Sequence, residues 1–103
     1  MSSFSWLSRA TPGPAAGGLH FSNPSRTYNV TKRCVSFWAY SATFEVAFDL
    51  AEDALDRMSP NMTHDDDTVL RVFDLNRARI EKAADVAHSR DRKNYHWLAA
   101  SEF

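Results

Sequence analysis

Glycine is missing from most of this 103-residue sequence, because all three glycines lie in residues 1–18. The turns that usually cradle phosphate groups need glycine for close backbone approach, so residues 19–103 lack the common nucleotide-binding loops. Cys34 is the only cysteine, which excludes an internal disulfide framework and a thiolate metal cluster and suits a reducing compartment. No apolar run approaches the roughly 18 residues of a membrane span. We therefore predict a cytoplasmic protein that does not enter a membrane.

Motifs for catalysis and for metal binding are also missing. The histidines lie far apart along the chain, without metal-ligand spacing: His20, His64, His88 and His96. His64 precedes an acidic run at residues 65–67, which we interpret as an exposed helix start rather than as a divalent-ion site. No local pattern indicates Ser-His-Asp or Cys-His catalysis. The sequence therefore predicts no metal, no cofactor and no identifiable small-molecule substrate, and it favours a protein that is not an enzyme.

The composition is typical of one small globular domain. Apolar residues make up 44% of the chain and charged residues 24%, and the net charge of −1 gives no general reason to expect nucleic acid as a partner. Residues 1–18 hold two of the four prolines and no acidic residue, and they contain too little apolar surface to become ordered. We predict a disordered arm over residues 1–18 and a single α+β domain over residues 19–103.

Two alternating runs give the clearest strand signal. Val35 and Phe37 alternate with Ser36 and Trp38 in the first run, and the second run continues the alternation through Phe48. The short link between them predicts an antiparallel hairpin. One face of this hairpin is plainly hydrophobic, and the other carries Trp38 together with Tyr40. Shorter strands are predicted near residues 27–30 and 95–98.

Two helices are predicted between the hairpin and the last strand. Residues 49–58 form a short helix with Asp49 as its N-cap, and residues 67–88 form a long amphipathic helix whose apolar face includes Phe73 and Ile80. The resulting order is β-β-β-α-α-β. We predict a two-layer α+β fold, in which an antiparallel sheet of about four strands has one short and one long helix packed mainly on one face.

Five segments in the same order resemble a bacterial family known as domain of unknown function 1488. They are Asn23 to Tyr28, Val35 to Trp38, Glu45 to Leu55, Phe73 to Ile80, and Tyr95 to Leu98 with the closing Glu102-Phe103. The resemblance covers residues 20–103 and implies a compact α+β domain without an assigned activity. The chain departs from the family pattern at Ala39, where a glycine is expected, and at Glu102, where an aspartate is expected. Because glycine could adopt positive φ, the first departure leaves the hairpin geometry open.

Trp38 and Tyr40 are the first candidate for a functional site. Large aromatic side chains are common anchors of protein interfaces, and this pair faces away from the predicted long helix. The alternative is a second small core, formed where the short helix or the N-terminal segment crosses that face. The preferred hypothesis is a protein–protein interaction module, acting as a homodimer or with another protein.

Residues 90–97 are the second candidate, because basic residues lead directly into aromatic ones. A site for single-stranded nucleic acid needs basic side chains that pair with phosphate groups and aromatic rings that stack on bases. The alternative is a charge cluster at the C-terminal end of a helix. The residues concerned are Arg90, Arg92, Lys93, Tyr95 and Trp97.

Asn76 and Arg77 are the third candidate, because both interrupt the apolar face of the predicted long helix. An unpaired buried amide costs about 1–3 kcal/mol, so Asn76 should have a partner. The two side chains either line a pocket or form a structural polar pair, with Asn76 bonded to backbone and the head of Arg77 in water.

Overall fold

The computed structural model of the protein describes residues 19–22 and 24–103. The predicted disordered arm, residues 1–18, lies outside the described residues. The sheet consists of β1 (Leu19–His20), β2 (Arg26–Asn29), β3 (Cys34–Ser41), β4 (Phe44–Ala51) and β5 (Tyr95–Leu98). The helices are α1 (Glu52–Met58), α2 (Asp66–Leu75) and α3 (Arg77–Arg90), followed by a short 3₁₀ helix at Ala100–Glu102.

The predicted hairpin is confirmed and forms the centre of the sheet. Strands β3 and β4 pair antiparallel from Cys34 opposite Ala51 to Ser41 opposite Phe44. The turn between them uses Ala42 with a φ of 56°, a left-handed conformation that costs a non-glycine residue roughly 1–2 kcal/mol. Ala39, where the family pattern has glycine, lies inside β3 and is buried, so this departure does not affect the turn.

The two sides of the hairpin are extended differently. Strands β1 and β2 both pair antiparallel with β3. Strand β5 pairs with β4 in parallel, so the prediction of an antiparallel sheet is wrong for this last strand. The chain leaves β4, crosses one face of the sheet through all three helices and returns in its original direction. A crossover of this length is what parallel neighbours require.

The predicted N-cap at Asp49 is wrong, because β4 continues to Ala51 and α1 begins at Glu52. The alternation of the strand persists through this segment, with Phe48 and Leu50 buried on the helix side and Asp49 on the opposite side. Asp49 resembles a helix cap in the sequence, but in the structure it bonds side chains of neighbouring strands.

The predicted long helix is divided into α2 and α3 at Asn76, whose φ of −112° and ψ of 16° lie outside the helical range. The side-chain amide of Asn76 donates to the Val72 carbonyl at 2.9 Å, and its backbone N–H reaches the Phe73 carbonyl at 3.1 Å. Such local bonds compete with regular helical ones and explain the break. The start of the segment matches the predicted exposed helix start at residues 65–67, because Asp65 is the N-cap and its side chain accepts from Thr68 N–H at 3.1 Å.

The three helices pack on one face of the sheet and enclose the core. Phe37 stacks on Phe48 with ring centroids 5.2 Å apart and meets Phe73 of α2 edge-on at 5.3 Å. Ile80 of α3 and Leu55 of α1 are fully buried in the same cluster. The predicted α+β class, and the predicted packing of the helices against the Phe37 side of the hairpin, are confirmed.

Candidate functional site

Four aromatic side chains share the face of the sheet that is turned away from the helices. Side chains alternate between the two faces along each strand, so Trp38 and Tyr40 of β3 lie opposite in direction to the buried Phe37. The register of the sheet puts Trp38 in one row with Ala47 and Tyr95, and places Trp97 of β5 beside Asp49. We call the surface formed by Trp38, Tyr40, Tyr95 and Trp97 the aromatic face.

The aromatic face combines two candidates that the sequence kept apart. Tyr95 and Trp97 are 41% and 45% exposed, while Trp38 and Tyr40 are half-buried. The short helix does not cover this face, because Leu55 of α1 belongs to the core on the other side of the sheet. The other alternative, coverage by the N-terminal segment, concerns residues 1–18, which lie outside the described residues. Strand β5 joins the sheet beside β4, so its two rings share a face with those of β3, with β4 between them.

A buried carboxylate holds the middle of the aromatic face in place. Asp49 is 6% exposed and accepts hydrogen bonds from Ser36 Oγ at 2.5 Å, Tyr95 Oη at 2.9 Å and Lys32 Nζ at 3.1 Å. Burial alone raises the pKa of Asp49, but these three hydrogen bonds outweigh it and hold that pKa below its usual value. Burial and the bond to Asp49 raise the pKa of Tyr95 to about 12. The Tyr95 ring is therefore fixed in orientation while one side of it stays exposed.

The basic residues of segment 90–97 lie in and before the turn that precedes β5. Arg90 donates to Glu102 Oε1 at 2.8 Å, and Lys93 Nζ lies 3.3 Å from Asp91 Oδ2. Arg92 is exposed. Two of the three cations thus have a carboxylate partner within the chain, which reduces the charge they offer to phosphate groups.

Asn76 and Arg77 both bond to backbone carbonyls. Asn76 donates to Val72, as described above, and Arg77 donates to the Pro24 carbonyl at 2.9 Å. The Arg77 guanidinium also lies 4.9 Å from the ring centre of Phe73 and close to Asp74. The pair therefore connects the break between α2 and α3 to the segment before β2.

A groove of about 340 Å³ lies between α3 and the C-terminal segment. It is lined by Arg79, Lys82, Ala83, Val86, Glu102 and Phe103. Its wall is part basic and part apolar, and the Arg79 guanidinium lies 5.9 Å from the ring centre of Phe103. Asn76 and Arg77 do not line this groove.

No local sequence pattern indicated the contacts made by the buried carboxylate of Glu52. Glu52 accepts a hydrogen bond from Tyr28 Oη at 2.8 Å and pairs with His64 Nδ1, while His64 Nε2 lies 2.9 Å from Asp56 Oδ1. The interpretation of His64 as part of an exposed helix start missed this contact, which joins the loop before α2 to α1. In the described residues, no group of three histidine, cysteine or acidic side chains is arranged to hold a metal.

Two buried histidines form a second cluster on the helix side of the sheet. His88 Nδ1 of α3 lies 3.1 Å from His96 Nε2 of β5, and the His96 ring stacks on Phe48 with centroids 5.3 Å apart. Burial and the neighbouring His88 lower the pKa of His96. The two histidines are eight positions apart, and they meet because β5 folds back beside α3 after the turn that joins them, which their spacing did not indicate.

Comparison with known proteins assigns the family. The sequence pattern of a family described as "Protein of unknown function (DUF1488)" matches residues 19–98. The chain belongs to the DUF1488 family. The resemblance seen in the sequence is thereby confirmed. No curated protein matches the chain.

A solved structure supports the fold of this DUF1488 protein. It is the crystal structure of a protein of unknown function from the DUF1488 family of Shewanella loihica PV-4, with a TM-score of 0.71. The two sequences are 14% identical, and the similarity covers 80% of this chain and 92% of the other. At this identity the likeness concerns the fold alone. Every helix in the described part of the chain is too short or too polar to span a bilayer.

Proposed function

We propose that this DUF1488 protein is a non-catalytic protein-binding module of the bacterial cytoplasm and that its contact surface is the aromatic face. One observation carries the proposal. Rings from two strands that are far apart in the sequence, β3 and β5, lie together on the sheet face opposite the helices. A core on the helix side would form without them, so their presence on the other side supports a role in binding.

The side chains of this face suit a protein partner. Tyrosine and tryptophan are enriched at interface hot spots, where each can bury roughly 150–250 Å² with little loss of side-chain entropy. Four such residues supply the centre of an interface whose usual size is about 800 Å² on each partner. Lys32 and Glu45 lie around them and offer both signs of charge for a polar rim.

Single-stranded nucleic acid is the second candidate. Its support is that Tyr95 and Trp97 share a sheet face with Trp38, across β4, which gives rings on which bases could stack, with exposed Arg92 in the adjacent turn. The charges of the face favour a protein instead. Asp49 occupies the middle of the platform, and Lys32 is already paired with it.

The test is capture of partners from the native host by wild-type protein, Trp38→Ala and Phe44→Ala, each with and without nuclease. Phe44 is the matched control, because it is an exposed aromatic residue at the start of β4 that does not belong to the aromatic face. We expect Trp38→Ala to lose specific partners and Phe44→Ala to retain them. If the folded Trp38→Ala variant captures every partner of the wild type, the proposal fails.

The salt dependence of binding distinguishes the nucleic-acid alternative from the protein-binding proposal. Phosphate contacts release counterions, so binding of single-stranded RNA or DNA must weaken steeply as salt increases. A titration at low and at high salt, with Trp97→Ala as the variant, tests this. Salt-sensitive binding that Trp97→Ala removes would favour the second candidate, and absence of binding at low salt would exclude it.

A further inference from the structure

We propose that the aromatic face engages a second copy of this chain, and that the two copies pair antiparallel along β5 to join two five-stranded sheets into one. The inference rests on the proposed function, because Tyr95 and Trp97 belong to the aromatic face. It goes further by naming the partner and the strand through which the partner is held.

Strand β5 forms one edge of the sheet that the described strands build. The Asn94 carbonyl accepts from Ala47 N–H at 2.9 Å, so the backbone groups of Asn94 face β4. In a parallel pair every second residue bonds to the neighbouring strand, so the backbone of His96 faces β4. The N–H and C=O groups of Tyr95 and Trp97 then point away from the sheet. Among the described strands, β5 is the last in the order and pairs with β4 alone.

The opposite edge of the sheet is protected in the way that edges usually are. It consists of two short strands, β1 and β2, separated by residues 21–25, which include Pro24. The side chains that β2 adds to the same face as Trp38 are Thr27 and Asn29, both polar. Strands β2 and β5 have four residues each, so length does not distinguish the two edges. Interrupted and polar edges resist pairing, whereas an exposed hydrophobic edge favours it. The β5 edge is therefore the one available for association.

The β5 edge is complementary to itself. When two copies of the strand run antiparallel about a twofold axis at His96, Tyr95 of one copy faces Trp97 of the other, and the reverse pair forms as well. Each pair exchanges two backbone hydrogen bonds, and both rings of each pair lie on the aromatic face. Aromatic residues directly opposite each other are favourable cross-strand neighbours. The symmetry thus satisfies all four outward-pointing groups of each strand.

On the helix side, α3 packs over β5, and the groove beside it carries exposed Val86 and the Phe103 ring. We expect the second copy to cover part of this apolar surface.

The interface is small, and this sets the strength of association. Two residue pairs and part of a groove fall well short of the roughly 1,600 Å² that stable complexes bury. We expect a dimer with a dissociation constant in the micromolar range or weaker, formed as the protein is concentrated.

Sedimentation or light scattering of the full chain, diluted from about 1 mM to about 1 µM, measures this association. We expect the average mass to fall from two chains towards one. Trp97→Lys, which puts a charge into the cross-strand pair, should raise the dissociation constant at least about tenfold. Phe44→Lys is the control, because it places the same charge at another exposed aromatic position, away from β5. Circular dichroism establishes that both variants are folded.

Hydrogen exchange gives a second readout that does not need a variant. The amides of Tyr95 and Trp97 should exchange more slowly at high protein concentration, while the amide of His96 should not change. A single-chain mass at every concentration, equal association of Trp97→Lys and wild type, or concentration-independent exchange at Tyr95 and Trp97 would each overturn the inference. If a monomeric protein still loses its partners through Trp38→Ala, the proposed function stands and this inference alone fails.

Discussion

The two faces of the central hairpin differ in how they use aromatic residues. Phe37 and Phe48 point to the helices and are fully buried, whereas Trp38, one residue further along β3, lies on the aromatic face and is only half-buried. Rings of similar size thus stabilise the fold on one side of a strand and remain available on the other. Alternation along the strand therefore separates the rings that stabilise the core from those of the proposed contact surface, so substitutions can test each face independently.

Phe37→Ala should have the largest effect on stability. The ring is enclosed by Phe48 and Phe73, and its removal leaves a cavity in the core. We expect a loss of about 3–5 kcal/mol in the free energy of unfolding, measured by urea denaturation. Trp38→Ala should cost clearly less, because its ring is partly in water already. Equal losses from the two substitutions would remove the distinction between the faces.

Tyr95→Phe should have an intermediate effect. It deletes one hydrogen bond to the buried Asp49 carboxylate and leaves the ring on the aromatic face. Loss of a hydrogen bond to a charged group costs about 1.5–3 kcal/mol when the partner cannot be rehydrated. Denaturation of wild type and variant measures the difference. An unchanged stability would mean that Asp49 does not depend on Tyr95 for its position.

Acid should affect the helix side of the sheet before the aromatic face. The pKa of His96 is lowered in the folded state by burial, His88 and Lys93, and raised less by Asp91. The folded state therefore binds fewer protons than the unfolded state, so the stability is complete above the unfolded pKa of 6.5 and decreases as the pH falls below it. The pKa of Asp49 is also lowered, so its contribution is lost only as the pH falls below its unfolded value of 3.8.

The measurement is the free energy of unfolding as a function of pH, for wild type and for His96→Gln. We expect the decrease just below pH 6.5 to be smaller in His96→Gln, while the decrease below pH 3.8 should remain. A wild-type stability that is constant between about pH 7 and pH 5 would contradict the assignment to His96.

Phe44→Ala should have the smallest effect. Phe44 is 74% exposed at the start of β4, and substitutions at exposed sites usually change stability by less than about 0.5 kcal/mol. Thermal denaturation and partner capture should both match the wild type. A large loss of stability in Phe44→Ala would show that the exposure of a ring does not by itself distinguish the two faces of the hairpin.

Alternation along the strands made the core predictable from the sequence. Val35 and Phe37 had to lie on one side of the hairpin and Trp38 on the other, and the structure has them so. The end of β4 was misjudged, because Asp49 is a common helix cap and its strand partners are distant in sequence. The break at Asn76 was missed because one non-helical residue barely disturbs the phase of the apolar positions before and after it.

The composition of the aromatic face was beyond local reasoning. The sequence identified Trp38 and Trp97 in separate segments, but their proximity depends on the order of strands in the sheet, which periodicity does not encode. The direction of β5 depends on the same long-range information. The pairing of Glu52 with His64 likewise joins residues whose local patterns suggest only exposed helix ends.

The parallel return of β5 also has a consequence for how the protein matures. Roughly forty residues of crossover must be organised before this strand can reach β4, and closing so long a loop is slow compared with forming the hairpin. We expect Trp38 to take its place early and Tyr95 and Trp97 to join the sheet later. A nascent chain that had not yet formed β5 would then carry only half of the aromatic face.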